Sequence, residues 1–254
     1  MKIKAILFDF GGTLDSDGTD WFTRLYEAIT GRLGHIEPAE FQRNADKAAC
    51  DICLLEDTSR LSMDGMVHRL CEHIHALMNG QNEYVQDPPC RTCCNGANLQ
   101  CSQSVKASNS WSVQEVAEEF LAESSRFIER NQLVLRKLQE RFRLGCISNN
   151  WGNTAGWCRG FGLDQFFETM IDSTVVGAVK PDQRIFQVAL DELKLPPQSC
   201  VYVGDRYDCD VLGARDAGLT PVWITNSQNG DNDDLSFRPH RIGRLSDLLD
   251  INWE

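Results

Sequence analysis

The sequence predicts an α/β protein in which a mostly parallel sheet is flanked by helices and interrupted by a long helical insertion. Two observations predict it. Short apolar runs that end in polar clusters alternate with helical patterns, which is the signature of parallel strands joined by crossovers. One long stretch after the first run shows apolar residues at three- and four-residue spacing and no convincing buried strand. With 254 residues the chain can bury a sizeable core, and 42% hydrophobic with 24% charged residues is ordinary for a globular protein.

The elements follow in order. Residues 2–8 read as a buried strand ended by a turn at Gly11 and Gly12. Residues 16–126 are expected to form an all-helical inserted domain, with helical patterns at 21–33, 39–55, 63–78 and 113–142, the last broken or restarted near Asn131. Within it, a Cys-rich loop at about 86–110 carries Pro88-Pro89. Residues 1–15 and 127–254 are expected to form the core domain. In it, residues 144–148, 200–203 and 222–224 read as strands, residues 181–193 and 208–217 as helices, the latter closed by Gly218. Residues 226–234 read as a short polar loop. In an open parallel sheet, ligands bind outside the carboxyl ends of the strands. Asp9, Ser148, Lys180 and Asp205 all fall at such ends.

Charge narrows the partners. A net charge of -12 repels nucleic acid and anionic membrane surfaces, because affinity for either rests on lysine and arginine facing phosphates. A small phosphorylated substrate stays compatible, since a metal ion and a few donors can reverse the field within one cleft. No signal peptide opens the chain, and no run of about 18 apolar residues could span a membrane. Eleven cysteines is an odd number, so complete pairing within a monomer is excluded. Free or metal-bound thiols in the cytoplasm fit better.

The run Phe8-Asp9-Phe10-Gly11-Gly12-Thr13-Leu14-Asp15 resembles the first motif of the haloacid dehalogenase (HAD) hydrolases. Ile147-Ser148-Asn149-Asn150, Val179-Lys180-Pro181-Asp182 and Val203-Gly204-Asp205 through Asp210 resemble the second, third and fourth, in the family's order. The resemblance implies a Rossmann-like core with a helical cap inserted after the first motif. It also implies a magnesium-dependent phosphatase in which Asp9 attacks phosphorus to form an aspartyl-phosphate that water hydrolyses. Ser148 and Lys180 would hold the phosphoryl oxygens, with Thr13 and Asn149 as neighbouring donors. Asp9, the Gly11 carbonyl and Asp205 would bind Mg2+, a hard cation that takes oxygen ligands. Asp210 would support that shell through a water or through Lys180, unless it is an ordinary acid in a first helical turn. Asp15 and Asp208 read as turn or surface acids.

One departure from the family pattern falls at Gly11, where most of its phosphatases carry a second Asp that serves as general acid and base. Such a proton donor contributes about 10² to 10⁴ in rate, roughly 3 to 5 kcal/mol. Its loss leaves open a slow phosphatase, or a catalytically silent relative that binds a phosphorylated ligand or a protein. A 2-haloacid dehalogenase, whose branch of the family also lacks that acid, is a further alternative.

The cysteines of the insertion pose a separate question. Cys50, Cys53, Cys90 and Cys93 are compatible with a structural Zn2+ site. The competing reading is that Cys50 and Cys53 are small core residues and that the later cysteines form a thiol-rich loop.

Overall fold

The structure, a computed structural model, describes residues 2–55, 57–80, 111–226 and 237–253. Strands β1 (Ala5–Phe8), β2 (Arg143–Ser148), β3 (Phe167–Asp172), β4 (Cys200–Gly204), β5 (Thr220–Ile224) and β6 (His240–Ile242) form one sheet in the order β3-β2-β1-β4-β5-β6. Every neighbouring pair is parallel. Because β1 lies between β2 and β4, the carboxyl ends of these three strands meet at the point where the chain reverses its direction of winding, and this opens a crevice.

Two of these strands escape the apolar-run pattern. In β3, Glu168 is exposed and Thr169 is a buried polar residue, which breaks the run. In β6 only Ile242 is buried, as befits a three-residue edge strand. β1 starts at Ala5 rather than at residue 2, although Lys4 still accepts from Arg143 N and donates to Ser199 O across the two flanking strands.

Between β1 and β2 lie α1 (Trp21–Leu33), α2 (Pro38–Leu55), α3 (Met63–Met78) and α4 (Val113–Gln139). Asp20, Ser62 and Ser112 cap the N-termini of α1, α3 and α4 by accepting from free backbone N–H groups of the first turn. The break expected near Asn131 is absent: α4 runs unbroken for 27 residues. Asn131 is buried within it, and its Nδ2 donates to the Leu14 carbonyl at 2.9 Å, so a polar residue that reads as a breaker is instead a tether to the core. After β2 come α5 (Thr154–Gly160), α6 (Ser173–Val176), α7 (Gln183–Leu193) and α8 (Leu212–Asp216).

Period-two alternation in β1 divides the core. Ile6 and Phe8 pack with Val134, Leu135 and Leu138 of α4 and with the apolar faces of α1–α3. Ala5 and Leu7 face Ile185, Phe186 and Ala189 of α7. Each large side chain buried in this way contributes roughly 1.5–3 kcal/mol. The first layer is continuous from sheet to insertion, which fixes the insertion over the strand ends. No helix of the described residues is long and apolar enough to cross a membrane.

The helix expected at 208–217 begins as a wide π turn over Tyr207–Val211 before α8 and its Gly218 stop, where φ is +84°. Val211 N bonds Arg206 O, five residues back, and the widened turn carries Asp210 back against the end of β4.

Candidate active site

Asp9 follows β1 directly, and its N–H donates to Val203 O at 2.9 Å, so the parallel ladder holds the residue in place. Its Oδ1 accepts from Phe10 N at 2.8 Å and lies 2.9 Å from Lys180 Nζ. The chain then turns sharply, with Thr13 N and Leu14 N both donating to Phe10 O. Gly12 is required here on two counts: its φ is +79°, and a Cβ would overlap the Asp205 carboxylate.

Lys180 arrives from the loop before α7 and is 1% exposed. Its Nζ donates to Asp210 Oδ1 at 2.7 Å and to the Tyr202 hydroxyl at 2.8 Å, in addition to its contact with Asp9. Tyr202 donates onward to Ile147 O at 2.9 Å. Asp210 Oδ2 accepts from Arg206 N. A carboxylate oxygen from each of Asp9, Asp205 and Asp210 lies within 4.8 Å of the others, and no other such acidic, His or Cys group occurs among the described residues. Three carboxylates thus face one ammonium. Burial pushes the Asp9 carboxyl up to about 6 against the pull of Lys180. Burial and the charges of Asp210 and Asp9 raise Asp205 well above the usual carboxylate range. Burial opposes the Lys180 charge, but Asp210 and Asp9 outweigh it and hold that group protonated.

The cleft above these groups has a volume of about 620 Å³ and is lined by Asp9, Gly11, Ser148, Asn149, Lys180, Asp205 and Asp210 from the sheet side. Trp21 and Phe22 of α1 and Gln42 and Asp46 of α2 close it from the insertion, with Trp151 and Trp157 beside them. Ser148 lies 4% exposed at the end of β2, bordering this space.

Two residues expected to be substrate donors do other work. Thr13 is fully buried, and its hydroxyl reaches Asp205 Oδ1 at 3.4 Å, so it positions an acid rather than facing the cleft. Asn149 spends its amide on the backbone of Lys180, accepting from Lys180 N at 2.8 Å and donating to Lys180 O at 3.2 Å. Both therefore set where the charged groups sit.

Asp15 is not a surface acid. It is fully buried and accepts from Gly12 N at 2.8 Å, Trp21 Nε1 at 2.7 Å and Arg24 Nη1 at 3.1 Å. Arg24, also buried, continues to Ser124 Oγ, Phe120 O and Glu123. Asp208 is exposed and pairs with Arg206, as an ordinary surface acid does.

Sequence reading missed Tyr202, Trp21 and Arg24. Tyr202 looks like any strand residue until Lys180 is placed beside its hydroxyl. Trp21 and Arg24 look like the apolar and polar faces of α1. Of the suggested zinc ligands, Cys50 is disulfide-bonded, which removes its sulfur from a thiolate set, and Cys53 is outside any disulfide. Cys90 and Cys93 lie outside the described residues.

Residues 3–218 match the model of the haloacid dehalogenase-like hydrolases. Among characterised relatives, the chain is 34% identical over 125 residues to a glyceraldehyde 3-phosphate phosphatase of Methanopyrus kandleri, a match covering 46% of this chain and 53% of that one. The chain spans about half the length of the curated relatives it matches first. Among solved structures, it superposes on an L-2-haloacid dehalogenase with a TM-score of 0.56 at 18% identity, over 98% of both chains. It also superposes on the putative HAD-hydrolase YfnB of Bacillus subtilis, bound to magnesium, with a TM-score of 0.53 at 16% identity, over 98% of both chains. At these identities the superpositions speak for the fold alone. With an aspartate at the end of β1, a buried lysine and paired acids after β4 in one crevice, and with the family model spanning nearly all of it, the chain belongs to the haloacid dehalogenase-like hydrolases.

Proposed function

We propose that this hydrolase is a magnesium-dependent phosphatase of a small phosphorylated metabolite, acting through an aspartyl-phosphate on Asp9. The observation that carries the proposal is the charge imbalance in the crevice: Asp9, Asp205 and Asp210 share one buried cation, Lys180, and burial first, with the neighbouring carboxylates behind it, raises Asp9 and Asp205 in pKa. A buried anionic excess of this kind fits a hard divalent cation with oxygen ligands. Asp9, Asp205 and the Gly11 carbonyl would hold it, with Asp210 behind them. When bound, Mg2+ neutralises charge on the phosphoryl oxygens. The phosphatase name of the Methanopyrus relative and the magnesium in the Bacillus subtilis structure agree with this reading.

The residues of the chain divide the work. Asp9 Oδ2, the oxygen not held by Lys180 and Phe10 N, is the attacking atom. Lys180 and the Ser148 hydroxyl meet the phosphoryl oxygens, and Tyr202 with Asp210 fixes the lysine. The insertion, taken as a cap over residues 16–126, closes the crevice with α1 and α2 and so excludes water while the ester is in place.

Phosphate release from 4-nitrophenyl phosphate with and without Mg2+, coupled to mass spectrometry of acid-quenched enzyme, tests this. The expected result is a magnesium-dependent burst and one phosphoryl group on the peptide that contains Asp9. Chloride release from 2-chloropropionate without metal, and no phosphoryl adduct, would overturn it in favour of dehalogenation. Binding of phosphorylated ligands without turnover would overturn it in favour of a silent relative.

A further inference from the structure

Gly11 stands where a general acid would be expected, and the structure shows what fills that place. A Cβ on Gly11 would meet Trp21 Nε1 at 3.2 Å and Cδ1 at 3.4 Å. The indole is fixed. It stacks on Trp157 with centroids 5.4 Å apart and planes 6° apart, meets Phe120 edge to face at 5.0 Å, and donates its N–H to Asp15. Trp157 is fixed in turn by its own N–H on Leu61 O and by Phe10. The Trp21 N–H is therefore committed to Asp15, and a side chain on Gly11 would press on the indole.

Among the described residues, the cleft acids from the insertion are Asp20 and Asp46. Asp20 accepts from Phe22 N, Thr23 N and the Thr23 hydroxyl at the start of α1. Asp46 accepts from Gln42 at 2.9 Å and feels the charge of Arg206 across the cleft. Among the described residues, what stands nearest the position of the missing acid is aromatic. Trp151 lies 6.3 Å from Trp21 and 6.4 Å from Trp157, and these three indoles with Phe22 line one side of the cleft.

We propose that the cleft selects aryl phosphates, the phosphate esters of phenols, over alkyl phosphates, with Trp21 and Trp151 receiving the aromatic ring of the leaving group. This rests on the phosphatase reading above. Attack by the Asp9 carboxylate forms an O–P bond while the P–O bond to the ring breaks, and the electron pair leaves on a phenolate that takes its proton from water afterwards. Water then attacks phosphorus, restoring the carboxylate and releasing dihydrogen phosphate with both protons of that water. A phenol ionises near pH 10, so its anion departs unaided far more readily than an alkoxide. Aromatic faces add binding through offset or edge contacts.

The test is kcat/KM, with Mg2+, for phenyl phosphate, a series of ring-substituted phenyl phosphates, phosphotyrosine, glycerol 2-phosphate and phosphoserine. The expected result is at least a ~100-fold preference for the aryl esters, and kcat/KM that rises steeply as the leaving phenol becomes more acidic. Trp151→Leu should lower kcat/KM for phenyl phosphate by about two- to tenfold more than it lowers that for the alkyl esters. Trp151→Phe should restore most of the loss, and it remains informative if the leucine variant fails to fold. Alkyl esters turned over within tenfold of aryl ones would overturn the proposal while leaving the phosphatase reading in place. An Asp46→Asn variant that then lost alkyl activity selectively would place the acid on α2. No phosphate ester cleaved by folded, magnesium-loaded protein would overturn both.

Discussion

Replacing Asp15 by asparagine removes one half of a buried ion pair without changing its size. Arg24 and Asp15 are 5% and 0% exposed, and the pair stands 3.1 Å apart. Breaking such a pair from one side leaves an uncompensated buried charge and costs about 3–5 kcal/mol. Arg24 keeps Glu123 at 3.1 Å, and Glu123 is 42% exposed, so the charge retains a partly screened partner and the loss falls toward the lower figure. A second loss adds to it. The oxygen that accepts from Trp21 and Arg24 cannot be replaced by an amide nitrogen without setting donor against donor, and each orphaned buried group costs about 1–3 kcal/mol. The sum is about 4–6 kcal/mol, which lowers the melting temperature by roughly 8–24 °C in a domain of this size. Urea unfolding with an unchanged m-value, together with a double-mutant cycle against Arg24→Met, measures it. Destabilisation below about 1 kcal/mol, with the two substitutions simply adding, would refute the view that this pair joins the nucleophile turn to the insertion.

Further outcomes follow from the same geometry. Gly12→Ala should cost about 1–3 kcal/mol and abolish magnesium-dependent turnover, since the new Cβ combines a left-handed φ with a clash against Asp205; calorimetry and phosphate release read the two effects separately. Tyr202→Phe removes one donor from the Ile147 carbonyl and one acceptor from Lys180, for a loss of about 1–3 kcal/mol, seen in a urea melt. In metal-free protein, Asp9 binds its proton more tightly when folded, at about 6 against an ordinary 3.8. Its contribution to stability is therefore full below pH 4 and is lost as pH rises through 6, an effect of about 3 kcal/mol. Asp9→Asn in EDTA should flatten that slope and melt higher than wild type at pH 7.5; an unchanged slope would show that the carboxyl is not strained by burial.

The fold was legible where the chain is simple. β1, β2, β4 and β5 are apolar on both faces and declare themselves, as do the helices of the insertion through their period. β3 and β6 were not legible, because Glu168, Thr169, His240 and Arg241 break the apolar run, and an edge or near-edge strand does not need one. Asp9, Ser148, Lys180, Asp205 and Asp210 line one cleft: Asp9, Ser148 and Asp205 sit at or directly after strand ends, a position that local sequence reveals, while Lys180 comes from the loop before α7 and Asp210 from the turn after β4. Thr13 and Asn149 were placed at the right site with the wrong partners, since sequence says that a donor is near but not what it bonds. Asp15 read as a turn acid because nothing local shows that Arg24 of α1 reaches it.

That last failure bears on how the cleft works. The turn after Asp9 is held from α1 and α4 at three points: Asn131 on the Leu14 carbonyl, Arg24 on Asp15 and Arg130 on Asp17, the last by two bonds at 2.6 and 2.8 Å. The far side of the insertion is tied as well, with Thr58 donating to Trp151 O and Asn153 donating to the Thr58 and Leu61 carbonyls. The indole wall stands between these two sets of anchors. Side chains fixed in this way lose little freedom when a ring settles against them, so more of the contact energy remains for binding. A rigid wall also discriminates by shape, because it cannot relax around an ester that leaves it unfilled. The same tethers bear on Gly11: a Cβ there would press on Trp21 Nε1 at 3.2 Å, and Trp21 is bonded to Asp15, which holds the Gly12 N–H of the turn after Asp9.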